Sequence, residues 1–388
     1  MDAVRNPFAP GAGSQPPELA GRDLILEEAE VALQRVIMGR HDRSQILLGL
    51  RGTGKTVLLN AIETRARDHG HITSFIEAPE QGRLAEQLYP KLHQALRKLS
   101  GIDAAKAAAH AGLRALRGFA SVFKIKIGDV AISVDPEPGV ADSGNLELDL
   151  VDLFEALGRS ARAAKCGWSL FIDELQYLDE PELAALIVAI HRANQTGLPI
   201  LLFGAGLPQI AALSGDAKSY AERLFNFPSI GALDAEAATA AIRQPVEAEG
   251  ENIDDDALVS IFRATHGYPY FLQEWGYQAW NAAVSSPITA TDVVTACGNA
   301  LKRLDAGFFR VRLDRLTPKE REYVVAMARL GQGPYRSADV ADALGESVQS
   351  LGPRRASIIK KGMIYSPAHG DIAFTVPMFD DFLRRTFT

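Results

Sequence analysis

Gly49-Leu50-Arg51-Gly52-Thr53-Gly54-Lys55-Thr56 is the stretch on which the reading of this chain turns. It follows the apolar run Gln45-Ile46-Leu47-Leu48. It precedes a helical pattern with Val57, Leu58, Leu59, Ala61 and Ile62 at core-facing spacings. Strand, glycine-rich loop and helix, in that order, is the context a phosphate-binding P-loop needs. Glycines let backbone N–H groups turn inward around an anion, and the helix N-terminus adds its partial positive charge. Gly49, Arg51, Gly52, Thr53, Gly54 and Val57 are the expected phosphate cradle. Lys55 is expected to reach the β and γ phosphates and Thr56 to ligate Mg²⁺. The motif predicts a bound nucleoside triphosphate.

A second anchor lies downstream. Trp168-Ser-Leu-Phe-Ile-Asp173-Glu174 is an apolar strand ending in two carboxylates. A strand tip of this kind would present Asp173 to Mg²⁺, while Glu174 would orient and deprotonate an attacking water. Together the two motifs predict hydrolysis as well as binding.

Composition allows a chain of 388 residues, 47% hydrophobic and 23% charged, to build two or three ordinary cores. Cys166 and Cys297 are far apart and have no His cluster nearby, which argues against a disulfide framework or a zinc finger and fits a reducing cytoplasm. The longest apolar run, 198–213, is broken by Gly204, Gly206 and Pro208, so no membrane span is expected. Residues 1–17 lack the apolar centre of a signal peptide, and the expected location is cytoplasmic. The net charge of −7 is unevenly spread. Residues 310–388 hold 13 Lys/Arg against 9 Asp/Glu, which leaves 28 of the 41 basic and 39 of the 48 acidic residues for the rest of the chain. A basic C-terminal module facing a polyanion would have this distribution, and so would an ordinary solvated face.

Proline makes residues 6–17 an extended leader. Gly21-Arg22 opens a helix carrying Leu26, Ala29, Val31, Leu33 and Val36. After the P-loop helix, residues 71–77 form a strand and 82–100 a helix. Alternation around Gly128-Asp129 predicts a β-hairpin at about 119–136, in which Lys124 and Lys126 could touch DNA or the hairpin could simply pack on the core. A helix follows at 146–164, another at 182–195 behind Asp179-Glu180-Pro181, and a strand at 198–203. Residues 219–230 run from a helix end containing Arg223 into a last strand. From Asp234 the period is helical throughout, at 235–249, 254–265, 268–285 and 291–304. Within it, His266-Gly267-Tyr268-Pro269 combines a helix stop with a restart. Thr317 and Glu320 form a capping box, Ser337 caps a second helix, and Pro353 starts a third that stops at Gly362. A hairpin over 363–376 completes a winged helix. Arg354, Arg355, Lys360 and Lys361 on its third helix are candidates for duplex DNA, although winged helices also bind proteins.

With these residues in place, the chain resembles the archaeal-type AAA+ ATPases related to origin-recognition initiators and STAND signalling ATPases. The resemblance rests on Gly21-Arg22, the P-loop, Phe171-Ile-Asp173-Glu174, Glu222-Arg223-Leu-Phe, His266-Gly-Tyr-Pro and the winged helix. It implies an α/β fold: a P-loop parallel sheet of the additional-strand AAA+ type (residues 1–232), a helical lid (233–309) and a winged helix-turn-helix (310–388). It implies ATP and Mg²⁺ as cofactors, and Gly21, Arg22 and Pro269 as nucleotide contacts. Arg223 would be an arginine finger acting on a neighbouring subunit in an ATP-bound homo-oligomer, or else a surface arginine paired with Glu222 or capping its helix. Family members carry a polar γ-phosphate sensor at the end of the 198–203 strand. Here the positions are Gly204, Ala205 and Gly206, so the sensor is absent or displaced, with Gln209 as a candidate, and slow turnover is expected. Three functions fit: a nucleotide-controlled DNA-binding switch, a signalling or defence scaffold whose winged helix binds protein, and a slow nucleotide-binding switch with little turnover.

Overall fold

Five apolar stretches pair into one parallel sheet: β1 (Ser44–Leu48), β2 (His71–Glu77), β3 (Gly167–Asp173), β4 (Ile200–Gly206) and β5 (Phe225–Asn226). Their order is β2-β3-β4-β1-β5, every neighbour being parallel. This computed structural model describes residues 1–11, 19–80, 82–125 and 138–387. Strand β4 lies between the strand that feeds the P-loop and the strand that ends in Asp173, which is the additional-strand arrangement. β1, β3 and β4 are buried along their whole length, as strands covered on both faces must be.

The pleat sorts their side chains to two sides. Leu47, Phe171, Leu201 and Phe203 pack under α1 (Asp23–Ile37) and α2 (Lys55–Asp68). Ile46, Leu170, Ile172 and Leu202 pack under α3 (Leu84–Ser100), α4 (Lys106–Val122), α5 (Leu146–Ala163) and α6 (Glu180–Gln195). Two short helices, α7 (Ile210–Ala217) and α8 (Ala221–Leu224), lead into β5.

Four helices follow, α9 (Ala235–Ala248), α10 (Asp255–Thr265), α11 (Pro269–Ala282) and α12 (Ala290–Arg303). Thr289 and Asp292 cap α12 reciprocally. A π-helical segment, Leu304–Phe309, joins them to α13 (Arg310–Asp314). The C-terminal part comprises α14 (Pro318–Arg329), β6 (Tyr335–Arg336), α15 (Ser337–Leu344), α16 (Val348–Lys360), β7 (Ile364–Tyr365), β8 (Asp371–Phe374) and α17 (Phe379–Thr386). Its three strands pair antiparallel in the order β6-β8-β7. The lid helices and the C-terminal helices share one apolar cluster, with Phe271, Trp275, Phe309 and Phe379 fully buried.

Several expectations change. Residues 119–122, assigned to a hairpin, are the last turn of α4, because Leu113, Leu116, Phe119 and Ala120 recur at helical spacing and are buried. Residues 123–125 are the turn that ends α4, with Lys124 in it at φ 52°, and the rest of that hairpin, Lys126 included, lies outside the described residues. The third C-terminal helix starts at Val348 rather than Pro353, because Ser347 caps it by accepting from Ser350 N at 3.1 Å. Ser337 is the first residue of α15, not its cap. Strand β4 runs on through Gly206. Residues 6–11 of the leader are not free-standing. Phe8 is buried against Gly276 of α11, and Asn6 donates to Tyr277 O at 3.0 Å.

Candidate nucleotide site

The loop leaving β1 turns through Gly52 and Gly54, whose φ angles of 85° and 91° lie in the region that glycine alone enters freely. Gly49 is required for space, since a Cβ there would stand 2.3 Å from Ile230 O. Gly54 is the N-cap of α2 and brings no side chain to its first N–H groups, so they are left for an anion. Among the described residues, Lys55 Nζ donates only to Leu50 O, at 2.8 Å. Burial draws its ammonium down to about 8, against the pull of the Glu174 and Asp173 carboxylates. A desolvated cation held by one carbonyl is a site prepared for negative charge.

Across the loop, Thr56 Oγ1 donates to Asp173 Oδ2 at 2.5 Å. Burial raises the Asp173 carboxyl, and the hydroxyl of Thr56 works the other way. Glu174 sits in the left-handed region with φ 55°, a conformation that costs a side-chain-bearing residue about 1 kcal/mol and marks functional turns. Its carboxylate accepts from Gln176 Nε2, and Gln176 Oε1 in turn accepts from Leu207 N at 3.2 Å.

Close packing from the turn after β3 and from α7 accounts for the glycines at the end of β4, Ile210 Cγ1 standing 2.8 Å from where a Cβ of Gly206 would be. A Cβ at Gly204 would lie 2.5 Å from Leu175 Cδ1, and one at Gly206 would lie 3.2 Å from Gln176 Oε1. The polar group that links Glu174 to the β4 tip therefore comes from the turn after β3. Gln209, the candidate from sequence, has its Oε1 buried without a partner and does not line the cavity described next. Gln176 was missed because no spacing rule marks it.

A cavity of about 280 Å³ opens over the loop. Arg51, Lys55 and Arg312 make one end cationic, and Leu19, Ala20, Leu233, Ala241 and Leu272 make the other apolar. Gly52, Thr53, Gly54, Thr56, Val57, Glu174, Arg22 and Pro269 also line it. Gly49, Gly21 and Asp173 do not. The φ of 69° at Gly21, and the 2.8 Å that would separate its Cβ from Ala237 Cβ, make that glycine a packing requirement for α9. The positive-φ glycines, the desolvated lysine and the Thr56–Asp173 pair fit a triphosphate with Mg²⁺. Among the described residues, no group of three or more His, Cys, Asp or Glu could hold a metal. Mg²⁺ held by Thr56 and Asp173 would therefore draw its other ligands from phosphate and water.

Residues 18–203 match the AAA ATPase domain family. Those residues form an AAA ATPase domain. Residues 306–383 match a domain family of unknown function. Among solved structures, the Walker-type ATPase PABY2304 of Pyrococcus abyssi shares the fold, with a TM-score of 0.57 and 16% identity over 96% of this chain and 98% of that one. The RuvB branch-migration motor of Thermotoga maritima (TM-score 0.46, 14% identity, 95% and 98% covered) and Aeropyrum pernix Orc1 in complex with DNA (0.45, 12%, 98% and 96%) are fainter likenesses that decide nothing about function. No curated protein matches the sequence.

Other residues of this chain lie around the site or apart from it. Arg312, which no motif marked, enters the cavity from α13. Its guanidinium stacks on Phe308 at 3.8 Å and donates to Phe308 O at 2.8 Å, with no carboxylate partner among the described residues. Burial and the neighbouring Arg51 pull it down to about 10, so it remains a cation at neutral pH.

Arg223 lies elsewhere. It is exposed on α8 just before β5, and β5 pairs with the N-terminal end of β1, Ser44 opposite Phe225. The P-loop leaves the other end of β1, so Arg223 stands at the opposite end of the strands from its own phosphate site. It makes no ion pair with Glu222 or any other described residue.

Of the DNA candidates, Arg354 pairs with Glu346 at 3.0 Å and Arg355 donates to Ser337 Oγ at 2.9 Å. Lys361 reaches Glu320 at 2.6 Å and Arg315 O at 3.0 Å. Burial raises the Glu320 carboxyl, but hydrogen bonds from Lys361, Ser357 and Thr317 outweigh it and hold the group near 2. Lys360 alone of the four is exposed and unpaired among the described residues.

Proposed function

We propose that this protein is an ATP-driven switch in which the nucleotide state of the P-loop sets the position of the C-terminal module. The observation that carries the proposal is the grip of the lid and the module on the loop. Arg51 N donates to Thr375 O at 3.1 Å, Tyr270 N donates to Gly52 O at 3.1 Å, and the Tyr268 hydroxyl donates to Arg51 O. The Arg51 side chain donates to the Tyr177 hydroxyl at 2.7 Å, which donates to Glu80 at 2.9 Å, and Glu80 also receives both bonds of Arg315 at 3.0 and 3.1 Å. A phosphate drawn into the loop meets the backbone and side chain that hold the module.

In the proposed cycle Gly52, Thr53 and Gly54 surround the phosphates, Lys55 and Arg312 neutralise them, and Thr56 and Asp173 hold Mg²⁺. The ion, when bound, withdraws charge from the β and γ oxygens. Glu174, held by Gln176, accepts a proton from the attacking water. Arg223 would serve the site of a second copy, making turnover depend on assembly. Duplex DNA is the first partner to test for the module.

The internal partners of Arg354, Arg355 and Lys361 favour a second reading, in which the module binds protein. One experiment separates them: ATPase rate and oligomer mass, with and without duplex DNA, across salt concentrations. DNA affinity that rises with ATP and falls with salt supports the DNA switch. ATP-driven assembly without DNA affinity supports the scaffold. Hydrogen exchange over 362–375 that is the same with and without ATP and Mg²⁺ would refute the switch in both forms.

A further inference from the structure

Of the neutral side chains that line the cavity, Gln273 carries a buried polar atom without a partner among the described residues, its side-chain oxygen Oε1. Its place along α11 sets which part of a ligand it meets. Pro269, Leu272, Gln273 and Gly276 fall on one face of the helix by their spacing. The Pro269 end is anchored to the phosphate loop through Tyr270 N and Gly52 O. At the other end Phe8 packs against Gly276, and the leader runs on through Ala9 and Gly11 along the cavity wall. Gln273 therefore sits about one helical turn, roughly 5 Å, beyond the phosphate loop and toward the leader. Leu272, Leu233, Ala241, Leu19 and Arg22 line the cavity with it. The neutral polar side chains nearer the loop are already engaged: Thr53 bonds Leu50 O at 2.9 Å and Thr56 bonds Asp173.

We infer that Gln273 is the residue that selects the base, accepting a hydrogen bond from the exocyclic amine of adenine. A buried carbonyl without a donor is costly, and a ligand that supplies one recovers that cost on binding. Adenine presents an amino group where guanine presents a carbonyl oxygen, so guanine would set two acceptors against each other. A site built to bond an amine also discriminates against an analogue that lacks it, because its own polar group stays unpaired. The apolar walls accept any purine. The amide oxygen supplies the choice among them.

The inference rests on the ATPase reading, and the test keeps the two apart. Binding of ATP, GTP and purine riboside triphosphate, which is ATP without its amine, is measured by calorimetry on the full chain and on Gln273→Leu. The wild type should bind ATP about tenfold more tightly than purine riboside triphosphate. Gln273→Leu should bind the two within twofold of each other. If the wild type binds both equally, if it prefers GTP, or if Gln273→Leu keeps the tenfold ratio, the inference is overturned and ATP binding stands. If the wild type binds none of the three, the ATPase reading falls, and the inference with it. The wild-type ratio needs no variant, so a folding defect in Gln273→Leu leaves the test intact.

Discussion

Replacing Arg312 by Met tests whether the cation that enters from α13 is part of the nucleotide site. Met preserves much of the stem that covers Phe308 and removes the charge. In the ligand-free protein that charge is disfavoured: burial and Arg51 bring the group from 12.5 down to about 10, an order of about 3 kcal/mol against the ionised form. Loss of the stacking on Phe308 returns about 0.5–1 kcal/mol in the opposite direction. Apo stability should therefore stay level or rise. Affinity should move the other way, because a hydrogen bond from a buried cation to a phosphate contributes about 1.5–3 kcal/mol, roughly a 10- to 150-fold loss for ATP when it is removed. ADP should lose less if the guanidinium faces the terminal phosphate. Thermal melting of the apo protein and titration calorimetry with ATP and ADP give both signs. An unchanged ATP affinity in a variant that melts lower would refute the argument and make Arg312 a packing residue.

Lys55→Ala should abolish nucleotide binding, read by the same calorimetry, with apo stability retained because a desolvated ammonium is removed. Glu174→Gln should hold ATP and reduce turnover by at least 10²-fold, and turnover at the wild-type rate would displace Glu174 as the base. Arg223→Ala should bind ATP normally yet hydrolyse it slowly, and an equimolar mixture with Glu174→Gln should regain activity at mixed interfaces; no recovery would argue against a role on a second copy. His71 governs acid stability. Burial brings its imidazole down to about 4 in the fold, against 6.5 unfolded, despite the bond to Leu33 O. The unfolded chain is protonated first, so this contribution is whole above pH 6.5 and falls by about 3 kcal/mol as pH drops to 4. His71→Asn should lose that part of the slope in denaturant melts between those pH values.

What the sequence made legible was whatever is written in local spacing. The P-loop, strands β2 and β3, and helix α5 follow from runs and periods a few residues long, and the additional strand is what the family resemblance implies. Contacts between distant segments left no such trace. Nothing in residues 6–11 announces that Phe8 will fill the space over Gly276, a glycine that reads as an interior helix weakness until the aromatic ring is placed on it. Gln176 and Arg312 belong to no motif, and their roles come from which atoms the fold sets beside Glu174 and Phe308. Pro353 misled for a different reason. It reads as a first-turn proline, yet it stands in the second turn of α16, whose start is fixed earlier by Ser347. The alternation that begins at Val122 hid the end of α4, where Phe119 and Ala120 still follow the helical period.

The path between nucleotide and C-terminal module runs through aromatic packing as well as through Arg51. Tyr270, whose backbone is bonded to the P-loop, stacks on Phe308 at 4.4 Å. Phe308 also carries the Arg312 guanidinium, and its neighbour Phe309 stacks on Phe382 at 5.3 Å and lies 5.9 Å from Phe379 of α17. The backbone at this point is π-helical, a geometry that departs from the regular helix and recurs at functional positions. The lid and the module share one close-packed cluster, so neither element slides past the other without opening it. The core is joined to that cluster near the P-loop by polar bonds, which exchange for phosphate contacts at modest cost. Charge arriving at Lys55 and Arg312 would accordingly move lid and module together relative to the sheet.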